Sequence, residues 1–331
     1  MVQTIDLLPD FQIPYSIVFD KNIVLPASLL PRQYITGKIY AEKELRCSIG
    51  YGKRENSGGY GNITRITRTP SPAANLCVKS PHAPTFSLCP EAILQFAASQ
   101  TLRRAGIHGA IPHVYDIFQY AGETRFSMDL VSGISSLNAI IRAPKPGIMF
   151  LQVIAQVSLL LGFLEETLRL DHRDLKADNI WIRDSPIEYS LKVGGVNWSL
   201  KAPFQVVILD FGFACIGSEN GNAVISLSDG ILPKMDPCPK EGRDLFQLIA
   251  SIWSVPTIRS IIDTDIAEEI ESLLSHRTTS YIELVHTTMM THWIYMAVSD
   301  KEFRHPPLHP LTLLLKLSSN WSCLELHNDI L

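Results

Sequence analysis

The sequence predicts an α+β fold, with strands concentrated in its first part and helices in the remainder. Three observations carry this prediction. Residues 46–80 and 111–131 are rich in β-branched residues and punctuated by glycine, the pattern of paired strands. From Pro146 onward, Phe150, Ile154, Val157, Leu160, Leu161 and Leu164 recur at helical spacing with Gln152, Gln156 and Glu165 between them. Beyond Gly242 the chain again reads as helical runs, at 243–249, near 257–276 and at 281–298.

Composition bounds the possibilities. At 331 residues, with 46% hydrophobic and 19% charged, the chain is globular and long enough for one two-lobed domain or two modest ones. A formal charge of −4 without a dense Lys/Arg run argues against nucleic acid as a partner. The opening M-V-Q-T-I-D-L-L-P-D has acids and a proline where a signal peptide needs a basic flank and an apolar run. The uninterrupted apolar segment 157–164 ends at Glu165, short of membrane-spanning length, so no membrane association is expected. Six cysteines lie far apart with no C-x-x-C pair, so neither a zinc site nor a disulfide framework is expected. A reducing cytoplasmic or nuclear setting follows from that expectation.

In chain order, residues 1–45 mix short apolar runs with Pro9, Pro14, Pro26 and Pro31, an extension expected to pack on the first lobe. Gly50, Gly52, Gly58, Gly59 and Gly61 then fall within a dozen residues, and a β-branched pattern resumes at Ile63. Glycines let a hairpin backbone approach phosphate oxygens, because no Cβ blocks the way. The glycine loop can be registered on 58–61 or on 50–52, and a plain surface hairpin explains the glycines as well. Leu76-Cys77-Val78-Lys79 ends an apolar strand on a lysine, by itself the pattern of a solvated edge residue. After Pro90 a helical pattern places Ile93, Phe96, Ala97 and Leu102 on one face. Glu91 sits in its first turn, where a carboxylate serves the helix dipole. Residues 111–131 form two strands around the turn Tyr120-Ala121-Gly122-Glu123, and Ser132-Gly133 opens a connector.

The second part carries the densest chemistry. From Leu170 to Ile182 the chain reads L-D-H-R-D-L-K-A-D-N-I-W-I, a charged loop between apolar pieces. It gathers a carboxylate (Asp174), a cation (Lys176) and an amide (Asn179), three functions that phosphoryl transfer needs close together. Residues 183–205 follow as an insertion, whose alternation and Gly194-Gly195 predict an elongated hairpin. V-V-I-L-D-F-G-F-A then ends a buried strand on Asp210 beside a glycine, a way to hold a metal against phosphate oxygens. Residues 213–240 are polar and glycine-containing, with Ser218, Ser226 and Ser228 open to phosphorylation and Arg173 as a candidate partner for the phosphate.

His172 to Asn179, H-R-D-L-K-A-D-N, followed in order by D-F-G at Asp210, resembles the protein kinases. The resemblance covers roughly 46–315. It implies a two-lobed protein-kinase-like fold: an extension at 1–45, a β-rich N-lobe at 46–131, and a mainly α-helical C-lobe at 132–331 with the insertion near 183–205. It also implies ATP and Mg2+ as cofactors. Gly58, Gly61 and Ile63 would cover the nucleotide, with Asn56 standing where the family has its first glycine. Lys79 would pair the phosphates and Glu91 would hold Lys79. Met128 would line the base pocket, while the backbones of Asp129 and Val131 would hydrogen-bond the adenine edge. Asp174 would position the attacking hydroxyl, Lys176 would offset phosphate charge, and Asn179 and Asp210 would bind the metal. Asp244 resembles a helix aspartate that accepts hydrogen bonds from the loop backbone. The A-P-E motif is absent, Pro237 to Glu241 is no clear substitute, and Arg304 lacks the family's glutamate partner. Lysine two residues after Asp174 resembles the serine/threonine branch, so a protein substrate is expected. A pseudokinase and a small-molecule kinase are the alternatives.

Overall fold

The computed structural model describes residues 40–58, 61–82, 88–217, 223–226, 237–276, 279–287 and 292–329. The extension through residue 39, Gly59, Ser218 and Ser228 lie outside the described residues. The chain is α+β, β-rich toward its N-terminus and mainly helical toward its C-terminus. It divides into two compact units, one of Met1–Ser132 with Asp210–Lys234, the other of Gly133–Leu209 with Met235–Leu331.

The first unit is built on a six-stranded sheet of β1 (Tyr40–Ala41), β2 (Ser48–Gly58), β3 (Gly61–Thr69), β4 (Leu76–Pro81), β5 (Val114–Tyr120) and β6 (Glu123–Asp129). Their order is β1-β5-β6-β4-β3-β2, so β4 is an inner strand with neighbours on both sides. The β2–β3 register ends at Gly58 opposite Gly61, which puts the hairpin tip there and leaves Gly50 and Gly52 inside β2. At the second hairpin, Ala121 and Gly122 adopt φ of 50° and 82° between Tyr120 and Glu123, the mirror-image turn that matches strand twist. Period-two alternation sends Ile66, Leu76, Val78 and Phe118 to one buried cluster. Helix α1 (Cys89–Arg104) packs against β5 and β6 on one side and the turn Phe211–Phe213 on another. Being covered twice, it buries Ala92, Leu94 and Ala98 as well as the expected Ile93, Ala97 and Leu102, while Phe96 stays half-buried.

The second unit is organised around α3 (Pro146–Leu168), which follows α2 (Ser136–Arg142). At 23 residues α3 is long and apolar enough to cross a membrane, which the short run 157–164 did not foretell. Most of it is buried inside the protein, as a core helix is. It ends at Arg169 in the left-handed region, φ 54°, whose amide returns to the Glu165 carbonyl at 2.8 Å. Short strands follow: β7 (Ile134–Ser135) before α2, β8 (Leu170–Asp171), β9 (Ile180–Arg183), β10 (Ile187–Val193), β11 (Val196–Ala202) and β12 (Gln205–Ile208). The insertion is the expected hairpin. Val193 pairs Val196 around Gly194 and Gly195, whose φ values of 65° and 77° select glycine. Its inner face buries Tyr189, Leu191, Val193, Trp198, Leu200 and Ala202, and the final strand Leu326–Asp329 pairs with β11. Gly162 of α3 admits this hairpin closely, since a Cβ there would lie 2.8 Å from a Val193 methyl. The remaining helices are α4 (Arg243–Trp253), α5 (Pro256–Ile261), α6 (Thr264–Leu274), α7 (Ile282–Thr287), α8 (His292–Ser299) and α9 (Pro310–Asn320).

Cys215 and Cys238 are each engaged in a disulfide. The widely spaced cysteines gave no signal of a bridge, because sequence separation carries no information about which thiols meet. Cys47, Cys77, Cys89 and Cys323 are not in disulfides.

Candidate active site

Lys79 is not an edge lysine. Three buried apolar residues, Leu76, Cys77 and Val78, lead β4 into the sheet, and Lys79 pairs Ile63 on β3 and Phe126 on β6. Only 7% of the residue is exposed. Its Nζ lies 2.5 Å from Glu91 Oε1 and 3.1 Å from Asp210 Oδ1. A burial this complete demands compensation, because an unpaired ammonium in low dielectric is strongly penalised. Here burial opposes the charged form, yet the Glu91 and Asp210 carboxylates outweigh it and hold the ammonium protonated above its ordinary range. Burial pushes the Glu91 carboxyl up to about 7, and the Asp210 charge pushes the same way against Lys79. Glu91 therefore does not merely cap α1; its side chain is committed to the lysine.

Two glycines make room for this triad. A Cβ on Gly61 would lie 2.9 Å from the Ser80 carbonyl oxygen and 3.0 Å from Lys79 Cε, so the β3 backbone passes over the lysine stem only as glycine. A Cβ on Gly212 would lie 3.3 Å from Asp210 Oδ1 and 3.6 Å from Glu91 Oε2. Asp210 itself adopts φ 63°, a left-handed conformation rare for a non-glycine residue, and its side chain remains 30% exposed.

The proposed base-pocket residues lie on the same unit. Ile63 is half-buried and opposite Lys79 in register. Met128 is half-buried opposite Cys77, and its sulfur accepts from Gln95 Nε2 at 3.3 Å. The Asp129 amide donates to the His113 carbonyl at 3.1 Å, and its carbonyl oxygen lies 3.7 Å from the Cys77 sulfur. Its carboxylate is also committed, accepting from the His113 amide at 2.9 Å and the Tyr115 hydroxyl at 2.8 Å. Val131 follows β6, half-buried. Gly58 sits at the β2 end of the hairpin tip.

The second unit holds the other candidates. Asp174 is 2% exposed, and Lys176 Nζ reaches its two carboxylate oxygens at 3.1 and 2.8 Å. Asn179 Nδ2 donates to the Asp174 carbonyl at 2.7 Å and to its Oδ2 at 3.1 Å, which points the amide oxygen the other way. Asp174, Lys176 and Asn179 are thus brought into one hydrogen-bonded group. A fourth member was not foreseen: the Tyr295 hydroxyl of α8 donates to Asp174 Oδ1. Lys176 Nζ lies 3.3 Å from the same hydroxyl.

The backbone of this loop is held by one face of α4. Asp244 accepts from the His172 amide at 2.6 Å and the Arg173 amide at 2.7 Å. Gln247 donates to the Arg173 carbonyl at 2.9 Å, and Ser251 accepts from the Ala177 amide at 3.0 Å. Positions 244, 247 and 251 are three and four apart, so they form one helical row. They fix Arg173 at φ 65°. His172 Nε2 lies 2.9 Å from the Leu209 carbonyl oxygen, and Leu209 donates its amide to the Asn179 carbonyl at 2.9 Å.

Beneath the loop lies a buried ion pair the sequence did not announce. Arg243 places Nε and Nη2 at 3.0 and 2.5 Å from Asp171 Oδ2, and the Lys240 amide reaches the same oxygen at 2.9 Å. Burial would raise the Asp171 carboxyl, but Arg243 and Arg173 hold it below the usual range. Burial and the nearby Asp171 charge push Asp244 well up. Arg304 has no comparable role, since it donates to the Lys301 and Phe303 carbonyls. The separation of 72 residues between Arg243 and Asp171 hides their pairing. Tyr295 left no motif in the sequence, and only the α8 packing that buries Trp293, Ile294 and Val298 brings it in.

No protein-family model matches the chain, and no curated protein matches it either.

Proposed function

We propose that the chain is an ATP-dependent phosphotransferase of the protein-kinase type, passing a γ-phosphoryl group to a serine or threonine hydroxyl of a protein. The observation that carries the reading is the buried Lys79 ammonium between Glu91 and the half-open Asp210 carboxylate. An ammonium this deeply buried and doubly paired is a fixed positive charge at neutral pH, suited to phosphate oxygens.

Donor chemistry supports a nucleotide with its metal. On one unit Asp210 offers a partly exposed carboxylate oxygen, and on the other Asn179 offers an amide oxygen, each a hard donor of the kind magnesium takes. A magnesium ion supplies charge neutralisation on the transferring group. The protein's own work is positioning and electrostatics. Lys79 holds phosphate oxygens, and Gly58 and Gly61 let the hairpin approach them. Ile63, Met128 and the backbones of Asp129 and Val131 would receive the base. Asp174 orients the acceptor hydroxyl. As the new O–P bond forms and the bond to ADP breaks, the hydroxyl proton passes to Asp174. Lys176, bonded to that carboxylate, adds positive charge beside the acceptor.

A second reading, a nucleotide-binding module without transfer, draws on one observation: the Tyr295 hydroxyl already engages Asp174. Mg-ATP thermal stabilisation, followed by transfer of γ-labelled phosphate to dephosphorylated casein and to small alcohols, separates the cases. The proposal expects stabilisation and label on protein. Stabilisation without label favours the binding module, label on alcohols favours a small-molecule kinase, and neither effect contradicts all three.

A further inference from the structure

We propose that Tyr295 is a built-in stopper: its phenol occupies the acceptor position at Asp174 and must withdraw before a substrate hydroxyl can be activated. The inference rests on the phosphotransferase reading and adds a regulatory contact to it. Four observations carry it. The Tyr295 hydroxyl donates to Asp174 Oδ1, which is the bond an acceptor hydroxyl would make before giving up its proton. Lys176 Nζ stands 3.3 Å from that hydroxyl and 5.9 Å from the centre of its ring, so the phenol also takes the cation assigned to the acceptor side. The remaining bonds to Asp174 come from Asn179 and Lys176, which belong to the loop itself. Among the described residues, Tyr295 alone reaches it from another element.

That element is short and held from one side. α8 has eight residues, His292–Ser299. Trp293, Ile294 and Val298 are buried, Trp293 with its ring 6.2 Å from that of Phe246 on α4, whereas Met296 is 66% exposed. A rotation or shift of α8 that withdraws the phenol therefore leaves an exposed flank, and a docking protein has a surface on which to act. The two states compete for one carboxylate, so the stopper lowers apparent acceptor affinity by the fraction of time it is in place.

Water serves as a test acceptor that needs no identified substrate. In that reaction the water oxygen bonds to the γ-phosphorus, the bond to ADP breaks, and the water proton goes to Asp174, leaving ADP and inorganic phosphate. Tyr295→Phe removes the hydroxyl but keeps the ring, and Tyr295→Ala removes both. Each should raise Mg-ATP hydrolysis and casein labelling several-fold over the wild type, while thermal stabilisation by Mg-ATP stays unchanged. In protein without nucleotide, Tyr295→Phe and Asp174→Asn should shift the urea midpoint non-additively, as contacting residues do. Hydrolysis that is unchanged or reduced in both variants, with Mg-ATP binding intact, overturns the stopper and spares the phosphotransferase reading. Additive urea shifts overturn it as well, and label found on Tyr295 would make it an acceptor instead. Loss of Mg-ATP binding in the wild type removes both readings together.

Discussion

Glu91 has two opposed neighbours, Lys79 at 2.5 Å and the charge of Asp210, and it is buried. The folded protein therefore holds its proton up to about pH 7, against an ordinary glutamate value of 4.5. An acid whose folded value is raised contributes stability that is full below its unfolded value and is lost as pH rises through the folded one. Between about pH 4.5 and 7 the native state should lose on the order of 3 kcal/mol from this group. Urea melts across that range should show the loss in the wild type, and Glu91→Gln should flatten it. Removing the cation is harsher. Lys79→Met leaves Glu91 facing Asp210 without a counter-charge and should cost roughly 3–5 kcal/mol, as breaking buried pairs does. Denaturant melts at pH 7 check this, and Glu91→Gln in the same background should restore part of the loss. None of these energetics could be read from sequence. The spacing from Lys79 to Glu91 permitted a cap as readily as an ion pair, and only the packing of α1 on the sheet, which brings Glu91 to Lys79, decides it.

At the scale of elements, α4 acts as a rail for the His172–Asn179 loop. Asp244 alone carries two buried amides. Asp244→Ala leaves both without a partner and should destabilise by roughly 3 kcal/mol, since buried donors left unpaired cost about 1–3 kcal/mol each. Chemical denaturation measures it, and Asp244→Asn, which keeps one acceptor, should fall between. The insertion hairpin gives a cleaner case. Gly195 has φ 77° and open space at its Cβ position, so Gly195→Ala should cost about 1 kcal/mol from conformation alone. Gly194→Ala adds a 2.3 Å approach to a Leu311 methyl and should cost more. Gly-Gly between alternating runs made this hairpin legible, because turn geometry and period-two burial are local properties. The Asp244 role was legible too, through a motif. Arg243, Lys240 and Tyr295 were not, because their partners Asp171 and Asp174 lie some seventy to a hundred and twenty residues away. α3 was legible as a helix, but the unbroken run 157–164 understated its apolar length, since helical burial tolerates Gln156 where it can donate to the Phe204 carbonyl at 3.2 Å and accept from the Val206 amide at 2.9 Å.

For the whole molecule, the candidate residues fall into two groups on two units. Lys79, Glu91 and Asp210 belong to one, and Asp174, Lys176 and Asn179 to the other. The proposal gives each a separate task, nucleotide holding for the first and acceptor activation for the second. The order of motifs along the chain suggested both tasks, whereas the hydrogen bonds that hold Asp129, from the His113 amide and the Tyr115 hydroxyl, have no sequence signature. The division of labour is open to one paired measurement: calorimetric Mg-ATP binding and labelled phosphate transfer, each on Asp174→Asn and Asp210→Asn. The account predicts that both variants lose transfer while Asp174→Asn keeps wild-type nucleotide affinity and Asp210→Asn loses most of it. Equal nucleotide affinity in the two variants, or transfer persisting in Asp174→Asn, would contradict it.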